Sequence, residues 1–166
     1  KAKTHAMMVL TLAVKNLFGM VKGSERMGWH LAVGKDFPKF ADMLLDIYLA
    51  VRPQFNLLDA ITCMEGNGPG SGTPTERRFV AGCSDALALD ASVTPILGVD
   101  NLFILRNAEV RGLLPEFENS GEIPQRNPLV LPPPPGMFVE WGMPLPPFLK
   151  GIMRDIVISK PILDKK

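Results

Sequence analysis

This chain has two cysteines and a net charge of only +1, and each of these features argues against some classes of function. The two cysteines, Cys63 and Cys83, do not form the CxxC spacing of zinc or iron–sulfur ligands. Both lie in apolar surroundings, which favours buried free thiols and a reducing compartment, so we expect a cytoplasmic protein. Lys and Arg total 18 against 17 Asp and Glu, and this balance gives no support for nucleic acid or a membrane as partner.

Long apolar runs are missing as well. No stretch reaches the roughly 18 consecutive apolar residues of a transmembrane helix, and no signal peptide is visible at the start. The hydrophobic fraction of 46% is nonetheless ordinary for a globular protein, and 166 residues can bury a sizeable core. The sequence starts without a methionine and stops without finishing an element, so we expect it to be part of a longer protein.

Helix and strand signals alternate along the chain. Residues 55–64 form a near-continuous apolar run, typical of a strand buried on both faces of a parallel sheet, and residues 78–83 form a shorter one. The glycine-containing residues 22–35 are predicted to be a loop. Helical spacing and capping residues predict four helices, over residues 10–21, 36–51, 86–97 and about 101–112. The alternation predicts an α/β fold with buried, mostly parallel strands.

Proline is concentrated toward the C-terminal end, with a run of four at Pro132–Pro135. Proline fixes φ and lacks an N–H donor, so this stretch is not a central strand. We expect residues 1–125 to form the α/β core. Residues 126–166 are predicted to be an extended proline-rich segment that leads away from the core.

A glycine-rich loop follows the apolar run of residues 55–64. Glycine permits positive φ and close approach of a ligand, and ligands of open α/β sheets bind at the carboxyl ends of strands. The loop reads GNGPGS over residues 66–71 and no lysine follows closely, so it matches neither common nucleotide-binding motif. A negatively charged Glu65 favours a cation or polar ligand over an anion, and a plain surface loop is the alternative. The candidate ligand-binding residues here are Asp59, Glu65, Gly66, Asn67 and Gly68.

A basic group stands at the start of the chain. Lys3, His5 and Lys15 flank an apolar segment and could bind a carboxylate or phosphate. In this interpretation His5 transfers a proton, Lys3 and Lys15 stabilise negative charge, and Asn16 orients the ligand. The alternative is a solvated segment with one amphipathic lysine. His30 lies in the predicted loop and is interpreted as a surface residue.

Three aspartates suggest further roles. Asp85 is most simply a helix cap, whereas Asp90 lies on the inward face of its helix and would need a partner. Carboxylates together with a histidine could instead bind a divalent metal, which suggests a metal-dependent enzyme using Asp59, Glu65 and Asp90. None of these residues has the spacing of an established metal motif.

The ordered motifs of the chain resemble domain-of-unknown-function family 362. The Lys3, His5, Lys15 and Asn16 positions belong to the first of them, which favours a functional role for the basic group. The motifs are, in order, KTH with TLAVKNLFG (residues 3–5 and 11–19), WH (29–30), DAI with MEGNGP (59–61 and 64–69), and SDALALDA (84–91).

The resemblance implies a longer protein, of which this chain would be the C-terminal half. Members commonly have an α/β portion before the KTH motif, and many carry a ferredoxin-type module with 4Fe–4S clusters. This chain has no cluster-binding cysteine run, so we expect no cofactor within it and any 4Fe–4S cluster beyond Lys166.

Three hypotheses about function follow from these residues and the resemblance. The first is a domain that binds a small anionic or polar ligand in iron–sulfur-linked redox metabolism, with the basic opening segment facing the glycine-rich loop. The second is a non-catalytic scaffold that docks a ferredoxin-type module or partner subunit through its proline-rich segment. The third is the metal-dependent enzyme. The family has no settled activity that would choose among them.

Overall fold

The structure of the protein is a computed structural model that describes residues 1–33 and 36–133. Within this part, four strands form one sheet in the order β2–β1–β3–β4. The strands are β1 (Lys3–His5), β2 (Val9–Thr11), β3 (Asn56–Glu65) and β4 (Thr73–Cys83). β1 pairs antiparallel with β2, β3 pairs antiparallel with β4, and β1 pairs parallel with β3. The α/β class is confirmed, but mostly parallel strands are not.

The glycine-rich loop explains the antiparallel pairing. It connects β3 directly to β4, and a connection this short joins only antiparallel neighbours, because a parallel pair needs a long crossover. Burial alternates along β3: Leu58 and Ala60 are buried, whereas Leu57 is 71% exposed and Ile61 is 54% exposed. One face of the strand is therefore covered, and the prediction of burial on both faces was wrong.

Two of the predicted helices are found with their predicted caps. α3 (Phe37–Val51) begins where the Asp36 carboxylate accepts the Lys39 N–H, and α4 (Ala86–Ile96) begins at Asp85. The remaining helices are α1 (Ala13–Asn16), α2 (Gly23–Val33) and α5 (Phe103–Val110), with a 3₁₀ turn at Leu17–Met20. None of the helices in the described part of the chain is long and apolar enough to cross a membrane.

The segment before α3 differs most from prediction. The single helix predicted over residues 10–21 is divided into β2, α1 and the 3₁₀ turn, and Thr11 does not cap α1. The predicted loop over residues 22–35 contains α2 instead. Its glycines, Gly23 and Gly28, lower helix propensity, so the local signal was weak. In the folded chain α2 packs against α3.

A strained turn joins β1 to β2. Val9 has a φ of 63°, and the Leu10 N–H donates to the Met8 carbonyl at 2.6 Å, so Val9 is the centre of a three-residue turn. Positive φ at a β-branched residue is disfavoured by roughly 1–3 kcal/mol. The turn is anchored by Met8, which is fully buried. It places two backbone N–H groups, those of Met7 and Met8, within hydrogen-bonding distance of His5 Nδ1.

Part of the proline-rich segment returns to the core. The Asn127 and Leu129 N–H groups donate to carbonyls at the end of α4, and the Gly66 N–H donates to the Val130 carbonyl. Leu129 is buried. These residues belong to no helix or strand, and they do not lead away from the core. The proposed domain boundary at residue 125 stays a prediction, and residues 134–166 lie outside the described residues.

Candidate functional site

The opening segment lies against the carboxyl end of β3, as predicted. Lys3 pairs with Met64 in parallel register, and the Thr4 hydroxyl donates to the Gly66 carbonyl at 2.9 Å. Gly68 packs so closely on Thr4 that any Cβ at this position would overlap the Thr4 carbonyl. Residue 68 therefore has to be glycine because of a close backbone contact within the chain.

His5 is buried, with 7% of its surface exposed. Its Nδ1 accepts the Met7 and Met8 N–H groups at 3.2 and 3.3 Å, so the proton of the neutral ring is on Nε2. Burial, followed by the positive charges of Lys15, His30 and Lys3, lowers the pKa of His5 to about 3. The ring is neutral near pH 7, which makes Nε2–H a hydrogen-bond donor; the proton-transfer role stays a prediction.

Lys15 is also buried, with 8% of its surface exposed. Its Nζ lies 5.1 Å from the Phe18 ring centroid and 5.7 Å from that of Phe40. Burial and the charges of Lys3 and Arg26 lower the pKa of Lys15 to about 8. Within residues 1–33 and 36–133, no carboxylate or hydrogen-bond acceptor pairs with this amine. The ammonium form is thus buried without a negative partner.

α2 adds two more basic groups. The His30 ring centroid lies 5.4 Å from that of Phe18 and 5.0 Å from that of Phe40, so His30 shares the aromatic walls of Lys15. Burial, then Lys15 and Arg26, lower the pKa of His30. The sequence interpretation of His30 as a surface residue missed this position, because α2 was predicted as a loop. We call Lys3, His5, Lys15, Arg26 and His30 the basic cluster.

Asp90 holds α1, and thus Lys15, in place. Its carboxylate accepts the Ala13 and Val14 N–H groups at 2.7 and 3.0 Å, so it caps the first turn of α1 from the neighbouring helix α4. Asp90 is fully enclosed, and burial raises its pKa to about 7 against the opposing effect of these two hydrogen bonds. The partner that the sequence required for Asp90 is therefore the backbone of α1.

Glu65 has a structural partner. Its Oε2 lies 3.2 Å from Nη2 of Arg77 and also accepts the Val130 N–H at 3.1 Å. The same guanidinium donates to the carbonyls of Asn127 and Pro128. Glu65 and Arg77 therefore attach residues 127–130, which we call the C-terminal segment, to the β3–β4 hairpin. A ligand-binding role for Glu65 stays a prediction.

The other predicted ligand-binding residues near the glycine-rich loop are either hydrogen-bonded within the chain or exposed. Asp59 accepts the Ile61 N–H at 2.9 Å within its own strand. The Gly66 and Gly68 N–H groups donate inside the chain, which leaves fewer donors for an anion. Asn67 and Asn16 are both exposed. The opening segment and the glycine-rich loop, the two predicted halves of the site, meet through their backbones. The charged groups that shift the pKa values of His5 and Lys15 are all positive.

The described residues contain two cavities, and their carboxylates, thiols and imidazoles are dispersed. No group of three or more His, Cys, Asp or Glu side chains could hold a metal ion there, and Asp59, Glu65 and Asp90 each have separate partners. A cavity of about 400 Å³ lies between β4 and the C-terminal segment, and one of about 390 Å³ lies between α3 and α5. Neither is lined by the basic cluster.

Comparison with known proteins assigns the family. The chain matches the family described as Domain of unknown function (DUF362) over residues 1–94, which is more than half of its length. The chain belongs to this family. The matched residues contain the whole basic cluster and Asp90. No solved structure matches the chain.

One curated relative is the thylakoid-associated protein sll1697 of Synechocystis sp. It is 43% identical over 100 residues, which are 60% of this chain and 31% of the relative. The chain therefore spans about a third of the length of this relative. The ferredoxin-type module and the position of this chain within a longer protein are not tested by this similarity.

Proposed function

We propose that this DUF362 domain binds a small anionic ligand, a carboxylate or a phosphate, at the basic cluster. One observation carries the proposal: Lys15 is buried among groups of its own sign and has no negative partner in the described part of the chain. A buried charge is strongly unfavourable unless it is paired. A bound anion supplies the missing charge and favours the protonated form of Lys15.

The groups around Lys15 have complementary roles in this proposal. The Lys15 ammonium pairs with the anion, and the His5 Nε2–H donates a hydrogen bond to it. Lys3 and the exposed Arg26 raise the local positive potential and attract the ligand. Asp90 acts through the backbone of α1 as a positioning residue, since it fixes the turn that carries Lys15. Asn16, exposed beside Lys15, stays a candidate for ligand orientation.

Calorimetric titration with oxalate and with inorganic phosphate tests the proposal. Lys15→Met keeps an apolar side chain of similar length but removes the charge, and Lys22→Met removes the same charge from an exposed position. We expect the wild type and Lys22→Met to bind one of the two anions and Lys15→Met to lose at least tenfold in affinity. Equal binding by all three proteins, or no binding by the wild type, would contradict it.

Coupling to iron–sulfur redox metabolism is a further part of the proposal, supported by the family resemblance alone. The full-length protein, purified without oxygen, provides the test. We expect the electron paramagnetic resonance spectrum of a reduced 4Fe–4S cluster. A full-length protein without iron or acid-labile sulfide would remove this part and leave anion binding unaffected.

The location of the protein is likewise a proposal. Free cysteines favour a reducing compartment and so a cytoplasmic protein, whereas the name of the relative describes that protein as thylakoid-associated. Fractionation of cells followed by immunoblotting distinguishes the two. Recovery in the washed membrane fraction would contradict a cytoplasmic location.

A docking scaffold is the second candidate function, and the outer face of the β3–β4 hairpin favours it. Leu57, Ile61 and Val80 are exposed on this face, and Phe55 is exposed beside it. The proposed occupant is a ferredoxin-type module, which would cover these apolar side chains. A chain ending at Leu131, and separately Leu57→Asp, should fold but lose association with that module. Association that survives both changes would contradict the scaffold.

A further inference from the structure

Lys15 is also the side chain in the described residues that is best suited to act as a nucleophile. The two cysteines are free thiols, but burial raises the pKa of the Cys63 thiol and so disfavours its reactive thiolate. The amine of Lys15 is perturbed in the opposite direction, toward its reactive neutral form. Anion binding requires only the charge of the Lys15 ammonium, so the reactivity of the neutral amine has no role in it.

We propose that Lys15 Nζ forms an imine with the carbonyl group of a small 2-oxo acid whose carboxylate is held by the basic cluster. This inference rests on the proposed anion binding and names the class of ligand. A 2-oxo acid suits the site because it joins a carboxylate, for the cationic groups, to an adjacent electrophilic carbon. Phosphate offers the first group but not the second.

The surroundings of the amine support this chemistry. Its walls are the aromatic faces of Phe18 and Phe40, which attract an ammonium less strongly than the water that burial removes, so the pKa is lowered on balance. The nearby positive charges of Lys3 and Arg26 further disfavour protonation. A carboxylate contact would have had the opposite effect, and none is present among the described residues. In the ligand-free protein about half of the amine is therefore neutral at pH 8.

The reaction needs no component beyond the two partners. The Nζ lone pair attacks the carbonyl carbon, a C–N bond forms, and the electrons of the C=O π bond move to oxygen. Both amine protons are transferred to that oxygen, which leaves as water when the C=N bond forms. The Nε2–H of His5, which is fixed as a donor by the two backbone contacts to Nδ1, donates a hydrogen bond to the oxygen as charge develops on it.

Reductive trapping tests the proposal. The protein is incubated with pyruvate, then with cyanoborohydride, and the modified residue is located by peptide mass spectrometry. We expect a single reduced adduct at Lys15, no adduct in Lys15→Arg, and an unchanged adduct in Lys39→Arg, which alters an exposed lysine of α3. Glyoxylate serves as a smaller second probe.

Oxalate binding, measured on the same samples, separates this proposal from the one on which it rests. Oxalate has two carboxylates and no ketone, so it tests anion binding alone, and Lys15→Arg keeps the charge that binds it. Oxalate binding without an adduct at Lys15 from either probe would overturn the imine and leave anion binding intact. Equal labelling of Lys39 and Lys15 would overturn it as nonspecific, and absence of both binding and adduct would overturn both proposals.

Discussion

Lys15 and Arg77 are two cations in opposite surroundings, Lys15 a buried residue and Arg77 a partly buried one. The Arg77 side chain, 7% exposed, is paired with Glu65 and donates to the carbonyls of Asn127 and Pro128. Lys15, 8% exposed, faces two aromatic rings and groups of its own sign. Arg77 therefore behaves as a structural cation that attaches one segment to another. Lys15 has no such partner within residues 1–33 and 36–133, which is the reason to look for a ligand.

The comparison extends to the groups around each cation. The Glu65–Arg77 pair is self-sufficient, because its carboxylate, its guanidinium and the neighbouring carbonyl groups satisfy one another. The surroundings of Lys15 are preorganised by Asp90 and the strained Val9 turn, yet its charge has no negative partner among the described residues. Strain and an uncompensated charge are costs to folding, and proteins retain such costs mainly at functional sites.

The largest effect on stability is expected at Arg77. Arg77→Met removes the cation that pairs with Glu65 and the donors to the carbonyls of Asn127 and Pro128, so we expect a loss of about 3 kcal/mol in the free energy of unfolding. This is the lower end for a buried pair because Glu65 is partly exposed. Urea denaturation measures it, and Arg78→Met, at a largely exposed ion pair with Glu76, is the matched control. A loss under 1 kcal/mol at Arg77 would contradict the structural role.

Asp90→Ala is expected to have the next largest effect, and it should act on both stability and binding. Removing the cap of α1 costs about 2 kcal/mol and frees the turn that carries Lys15, so affinity for oxalate or phosphate should also fall. Asp36→Ala removes the cap of α3 and should reduce stability by about 1 kcal/mol without changing affinity. Loss of affinity in both variants alike would show that the effect is not specific to α1.

Lys15→Met should change stability in the opposite direction. It exchanges an uncompensated buried charge for an apolar side chain, so we expect the ligand-free protein to gain about 1 kcal/mol while anion binding is lost. Urea denaturation without added anion gives the comparison with the wild type. Destabilisation by 1 kcal/mol or more would indicate that Lys15 has a partner within the protein and would remove the argument for a ligand.

The smallest expected effect is a pH dependence from His5. The pKa of His5 is lowered from 6.5 to about 3, so the unfolded chain takes up a proton below pH 6.5 that the folded ring refuses. This contribution to stability is present above pH 6.5 and is lost progressively as the pH falls toward 3. Relative to His5→Asn, which keeps an acceptor for the Met7 N–H, the wild type should lose about 1 kcal/mol between roughly pH 7 and pH 5.5. Parallel stability curves for the two proteins would contradict the neutral buried ring.

The parts of the fold that follow from local sequence were predictable. α3 and α4 carry a capping aspartate in front of an apolar face, and both signals lie within one helix. The antiparallel hairpin was missed because its glycine-rich loop was interpreted as a ligand loop, although its length already required antiparallel neighbours. α2 was missed because its glycines conceal a helix that packs against α3.

The candidate site divides in the same way. Lys3, His5 and Lys15 were identified from residue type and from the family resemblance. The cap from Asp90 to α1 joins residues 77 positions apart, and no local pattern reports such a contact. Arg77 was missed as the partner of Glu65, because alternation along β4 shows that a residue points inward but not which residue it meets.

The pKa of Lys15 is the most direct measure of the central claim. It is obtained by NMR titration of the Lys15 side chain, without ligand and with saturating oxalate or phosphate. We predict a pKa near 8 in the free protein, against 10.5 for an ordinary lysine, and an increase when the anion that binds is added. A free-protein pKa of about 10.5 that neither anion changes would contradict a buried, uncompensated ammonium that serves as an anion site.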